Sequence, residues 1–143
     1  MSTEGAESRK TSRARASEPA LRYGRQYFRQ LSGNRTDFSI SPFTPGVIAF
    51  SRILDADEVL VIGNTSEQDL FQGEAIVDAD LNQADGRFGV LFSSSTNPVP
   101  PGPLRTAAAG CVSIREPDGS MSPGPARVLP VTIGPLEVQI LRR

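Results

Sequence analysis

The sequence predicts an all-β fold, a two-sheet antiparallel β-sandwich of about seven or eight short strands. Three observations carry that expectation. Apolar residues alternate with small or polar ones at period two over 88–92, 112–115 and 136–141, the spacing that puts every second side chain on one face of a strand. The 12 prolines and 13 glycines supply turn residues at a density that favours short elements over long helices. Turn signals recur about every 8–15 positions, as they do in sandwiches rather than in βαβ arrangements.

Taken in order, residues 1–20 read as a disordered basic tail. Serine, arginine, glutamate, alanine and threonine alternate loosely there, and only Met1 among the first 18 exceeds small apolar size, too little to offset the entropy of ordering. From Leu21 the texture changes, and Tyr23, Tyr27, Phe28 and Leu31 make a stretch that fits an edge strand or the end of a helix. The prolines at 42 and 45 predict an extended loop over 41–46. Val47 to Leu54 is the first clear strand, Asp55-Ala56-Asp57-Glu58 a polar turn, and Val59-Leu60-Val61-Ile62 the returning strand of a hairpin.

Gly73 to Val77 reads as another strand, and past an Asp85-Gly86 turn Phe88, Val90 and Phe92 form one apolar face. Residues 97–103 hold four prolines. With so few amide donors they predict an exposed loop of polyproline character that divides the strands into two groups. Val112 and Ile114 alternate ahead of an Asp118-Gly119 turn, Val128 to Ile133 follows, and Leu136, Val138 and Ile140 alternate to the end after Gly134-Pro135. Residues 21–143 thus make one β-sandwich domain, with no internal repeat.

Composition narrows the functions. Residues 1–29 carry seven basic and three acidic side chains and residues 30–143 eight and thirteen, so a +4 segment precedes a −5 remainder within a net charge of −1. Arg9, Lys10, Arg13 and Arg15 lack the interleaved aromatics of a nucleic-acid arm, so no nucleic-acid partner is expected. No apolar run is long enough for a signal peptide or a membrane span. The reading therefore expects a cytoplasmic protein without a membrane partner. Asn34-Arg35-Thr36 and Asn64-Thr65-Ser66 match the glycosylation acceptor pattern, which means little without export.

The chain has no histidine and one cysteine, Cys111. That removes histidine-based nucleophilic catalysis and the commonest zinc ligand, and leaves Cys111 as a small buried hydrophobe. No glycine-rich phosphate loop is present. A calcium loop starting at Asp78 would need glycine and glutamate where Gln83 and Gly89 stand. Asp55 with Asp57, and Asp78 with Asp80, are the nearest approach to a glycosidase carboxylate pair, but both lie at turns, where acids are ordinarily turn formers. No cofactor, metal or catalytic residue is assigned.

One resemblance adds to this. The segment Glu18-Pro19-Ala20-Leu21-Arg22-Tyr23-Gly24-Arg25-Gln26-Tyr27-Phe28 resembles the passage from the last barrel helix of α-amylase-family enzymes (glycoside hydrolase family 13) into their C-terminal β domain. Gly46 to Arg52 followed by Glu58 to Thr65 is similar to that domain's first hairpin, and Arg127 to Pro130 with Leu136 to Leu141 to its closing one. The resemblance covers residues 15–143. It lacks the eight-stranded barrel whose strands bear that family's catalytic acids, so no catalytic residue carries over.

What the resemblance implies is a non-catalytic accessory domain of an α-amylase-like glycoside hydrolase. Its partner would be a catalytic α/β barrel, packed on the segment holding Tyr23, Tyr27 and Phe28, with residues 1–20 as tail or remnant of the last barrel helix. A bare interface of that kind also implies self-association. The alternative is a free-standing protein-interaction module using the proline loop or a sheet edge, or a glucan-binding module stacking sugars on Tyr23 and Tyr27.

Overall fold

A computed structural model describes residues 18–40 and 46–143. Among them strand accounts for 49% and helix for 4%, and the all-β sandwich is the fold. The elements are α1 (Pro19–Tyr23), β1 (Arg25–Arg29), β2 (Leu31–Ser32), β3 (Asp37–Phe38), β4 (Val47–Leu54), β5 (Asp57–Asn64), β6 (Phe71–Val77), β7 (Gly89–Ser93), β8 (Arg105–Ala107), β9 (Ser113–Arg115), β10 (Met121–Ser122), β11 (Ala126–Ile133) and β12 (Val138–Arg142). Twelve strands stand where seven or eight were expected, because pieces of two or three residues are too short to leave a periodic trace. The expected tail and loop at 1–17 and 41–45 lie outside the described residues.

A five-stranded sheet runs β1-β4-β5-β12-β7 and a four-stranded sheet β2-β6-β11-β8. Their facing sides make the main core, in which Leu60, Ile62 and Leu141 of the first sheet meet Leu31, Leu129 and Ile133 of the second, all at 0% exposure. A third sheet, β10-β9-β3, lies over the back of the four-stranded one. Phe38 and Ile114 there, with Val112 just before β9, pack on Val128, Ala126 and Ala107. Its β3–β9 pair is parallel, unlike the antiparallel pairing throughout the two larger sheets.

Several local expectations change. The uncertain stretch from Leu21 is both things in turn, a helical end and then an edge strand. The chain changes sheets at Gln30, between β1 and β2, and its carbonyl accepts from the Ile76 amide at 3.0 Å. Glu18 and Ala20, inside the expected tail, are packed: Glu18 is 4% exposed and pairs with Arg142 at 2.6 Å. The hairpin turn shrinks to Asp55-Ala56, with Leu54 opposite Asp57 and Asp55 at φ 53°, a left-handed conformation aspartate tolerates. Leu136 is a turn residue at φ 55° rather than the start of a strand.

The β12–β7 register shifts between Ile140 and Leu141, with Val90 opposite Leu141 and Phe92 opposite Ile140. Leu91 is the extra residue of a bulge. Phe88 and Val90 accordingly join the main core while Phe92 turns outward, so the expected single apolar face is split. Nor does the proline segment part the strands into two groups. β12 inserts between β5 and β7, and β11 between β6 and β8. The segment is itself partly tied down, with Pro101 buried and the Gly102 amide donating to the Pro130 carbonyl at 3.0 Å.

Candidate functional site

Cross-strand register builds one continuous apolar row. Phe28 stands opposite Phe50, Phe50 opposite Val61, Val61 opposite Ile140 and Ile140 opposite Phe92. Five strands each contribute one large apolar residue, on the side of the sheet that faces away from the main core. The Phe28 and Phe50 rings meet edge to face at 6.5 Å, a favourable aromatic geometry. The next rung, Ile48–Gly63–Val138, continues the strip, and Ile48 and Val138 are 42% and 39% exposed.

α1 lies over part of this row, burying Ala20 against Val59 and Ile140, with Leu21, Leu54, Val61 and Phe92 packed around them. Gly24, just past it, permits the close approach: a Cβ there would collide with the Ala20 carbonyl oxygen and sit 3.0 Å from Ile53 backbone atoms. Arg52 closes the corner, donating from Nε to the Gly24 carbonyl at 3.0 Å. The outer face of the five-stranded sheet is thus half covered by one turn of helix and half open.

The residues singled out from sequence are exposed, Tyr23 at 66%, Tyr27 at 43% and Phe28 at 54%, but they do not form one patch. Neighbours on a strand point to opposite sides. Phe28 shares the outer face with Phe50, whereas Tyr27 stands opposite Ser51, on the core side of the sheet's edge, beneath the Arg29 guanidinium at 5.7 Å. Tyr23 ends α1 under its own neighbour Arg22, 5.1 Å away. Phe28 therefore belongs to the open strip, Tyr23 to the helix that flanks it and Tyr27 to a different surface.

The carboxylates are paired otherwise than in sequence. Asp55, Asp78 and Asp80 line one open cleft with Tyr27, Arg29 and Ile53. Asp57 is absent from it. Asp78 Oδ1 accepts from the amides of Asp80 and Leu81 at 2.8 and 3.0 Å, the action of a turn former. No group of three or more His, Cys, Asp or Glu side chains among the described residues is placed to hold a metal ion. Cys111, expected to be buried, is exposed, since it follows Gly110 in a turn at φ 85°.

Sequence reasoning missed the acid that matters most to this end of the fold. Glu58, assigned to the hairpin turn, has a side chain at 0% exposure on the core side of β5. Its carboxylate accepts from Arg29 at 2.8 Å, from the Ser51 hydroxyl, from the Asp78 amide at 3.0 Å and from Asn82 Nδ2 at 2.6 Å. Four donors on one buried carboxylate satisfy it fully. The available signal was parity: Glu58 is in phase with Leu60 and Ile62, both core-facing.

Compared with protein-family models, curated proteins and solved structures, the chain matches none of them. Among the described residues no helix is long and apolar enough to cross a membrane.

Proposed function

We propose that this chain is a non-catalytic accessory domain that docks on a larger partner, with the α/β barrel of an α-amylase-like glycoside hydrolase as that partner and carbohydrate metabolism as its setting. The observation that supports the reading is the open half of the five-stranded sheet's outer face. Phe28, Ile48 and Val138 leave apolar surface exposed there, beside the part of the row that α1 covers at Ile140, as a domain interface does before its other half is in place. The helical turn lying on the same face belongs to the segment that resembles the passage out of a barrel.

The cleft at Tyr27 favours the alternative of a glucan-binding module only in offering an aromatic beside carboxylates. One ring face of Tyr27 is already taken by Arg29, and Asp78 is engaged in its own turn.

The test is to add the purified full chain to an α-amylase-family barrel truncated after its last helix. Association that raises the barrel's melting temperature, with no turnover of starch or maltooligosaccharide by the chain alone, supports the reading. Absence of association, or turnover lost on Asp55→Ala or Asp78→Ala, overturns it. Retardation in starch or glycogen gels would favour the glucan-binding alternative.

A further inference from the structure

We propose that residues 97–103 form a polyproline II ridge that docks in the aromatic-lined groove of a proline-recognising partner protein, with Val99-Pro100 and Gly102-Pro103 as the two dipeptides that enter it. This docking is independent of the barrel reading. The ridge joins β7 to β8, the outermost strands of the five- and four-stranded sheets at the edge opposite β1 and β2.

Its first support is conformational. Every residue of 97–103 is either a proline or immediately precedes one. The ring holds φ near about −65° at each proline, and each preceding residue is pushed to extended or polyproline II backbone. None of them has a positive φ. Burial then repeats every three residues, the period of that helix. Pro98 is half-buried and Pro101 and Leu104 are buried, whereas Asn97, Pro100 and Pro103 are exposed. On the remaining face Val99 is 49% exposed and Gly102 half-buried.

The inward face is pinned to the sandwich. The Gly102 amide donates to the Pro130 carbonyl at 3.0 Å and the Leu104 amide to the Gly86 carbonyl at 2.9 Å, while Gln139 Nε2 donates to the Val99 carbonyl at 3.3 Å. Gly102 lies so close to β11 that a Cβ there would stand 3.2 Å from Pro130 Cβ. These contacts account for Pro98, Pro101 and Gly102. They give no reason for Pro100 and Pro103, whose carbonyls accept no hydrogen bond among the described residues.

The chemistry of the occupant follows from the spacing. A polyproline II ligand offers two x-Pro pairs three residues apart to pockets between aromatic side chains, and its free carbonyls to tyrosine or tryptophan donors. Here the x-P-x-x-P run is Val99-Pro100-Pro101-Gly102-Pro103, and its middle residue, which no pocket needs, is the one the sandwich buries. A ridge already fixed in this conformation loses little freedom on docking. Arg105, next along the chain, is held by Glu74, so recognition rests on the prolines rather than on an acidic wall. A second copy cannot supply the groove. The chain has no tryptophan, and its exposed Tyr23, Tyr27 and Phe28 lie on separate surfaces, both tyrosines with a ring face under arginine.

The experiment places a photoreactive benzoylphenylalanine at Asn97 of the full chain, with Met121 on the third sheet as the control position. Each is irradiated in extract of the source cells, with and without a free proline decamer. Asn97 is expected to give an adduct with a different protein, linked within a segment rich in tyrosine and tryptophan, and the decamer should displace it. Pro100→Ala combined with Pro103→Ala should cut the adduct by at least about tenfold. Val99→Asp keeps all four prolines of the ridge and, at an exposed position, should give the same loss with the melting temperature unchanged. An adduct only between copies, equal labelling from Met121, no adduct, or an adduct indifferent to these variants each overturns the proposal. An adduct on a glycoside hydrolase barrel that the decamer leaves intact overturns it too, and leaves the barrel reading standing.

Discussion

Arg105 on β8 reaches over Pro130 of β11 to grip Glu74 on β6 with two hydrogen bonds, Nε to Oε2 at 2.7 Å and an NH2 to Oε1 at 2.5 Å. A proline in a strand paired on both sides is unusual. It is accommodated because the Pro130 carbonyl points to Gly102 on the β8 side, and a strand residue's nitrogen faces the same side as its carbonyl, so no bond to β6 is lost. The ion pair then ties together the two strands that flank it.

Glu74 is buried while Arg105 keeps a third of its side-chain exposure, which makes the two deletions unequal. Glu74 also holds the Arg105 guanidinium above its ordinary range by accepting its hydrogen bonds. Arg105→Ala, which leaves a buried carboxylate with only Arg35 at 3.5 Å, is expected to cost about 3 kcal/mol. Glu74→Gln, which leaves a cation that can reach water, should cost about 1 kcal/mol less. Urea unfolding of both variants checks the order, and equal losses would contradict it.

Glu58→Ala removes the acceptor for four donors and should destabilise by about 3–5 kcal/mol. Asn82→Ala, which removes one of the four, should cost about 1–2 kcal/mol. Were Glu58 an ordinary turn acid, thermal unfolding would shift by far less.

Tyr27 and Phe28 should behave differently although adjacent. Phe28→Ser removes an outer-face residue and is expected to weaken partner association while costing about 1 kcal/mol or less of stability, at a site 54% exposed. Tyr27→Ser should leave association unchanged. Measured by titration calorimetry against the bound partner, equal effects from the two would mean that the sheet face is not the interface.

Asp118 accepts from the Ser120 hydroxyl at 2.6 Å and its amide at 2.9 Å, and these bonds hold its carboxyl below the ordinary 3.8. A group lowered in the folded state contributes its stability above the unfolded-chain value and loses it as pH falls through the lower, folded one. Carbon-detected NMR titration should give a midpoint below 3.8, moving back up in Ser120→Ala. An unmoved midpoint would show that the turn does not hold the carboxylate.

The long strands were legible in the sequence because period two is a local property. Val47 to Leu54, Val59 to Ile62 and Val128 to Ile133 each carry enough alternating or continuous apolar residues to specify strand without reference to anything distant. The absence of histidine and of a phosphate loop likewise bounded the chemistry residue by residue.

Only tertiary structure decided which strands became neighbours. β12 pairs with β5 across more than seventy residues, and pairing at that range is set by which apolar faces meet, not by any local pattern. The same reason hid the buried acids. Glu58 and Glu74 look like surface residues until Arg29, Asp78, Asn82 and Arg105, 20 to 31 positions away in sequence, close around them. It also separated Tyr27 from Phe28, since which side of an edge strand faces outward depends on what the sheet packs against, and only the finished sandwich fixes that.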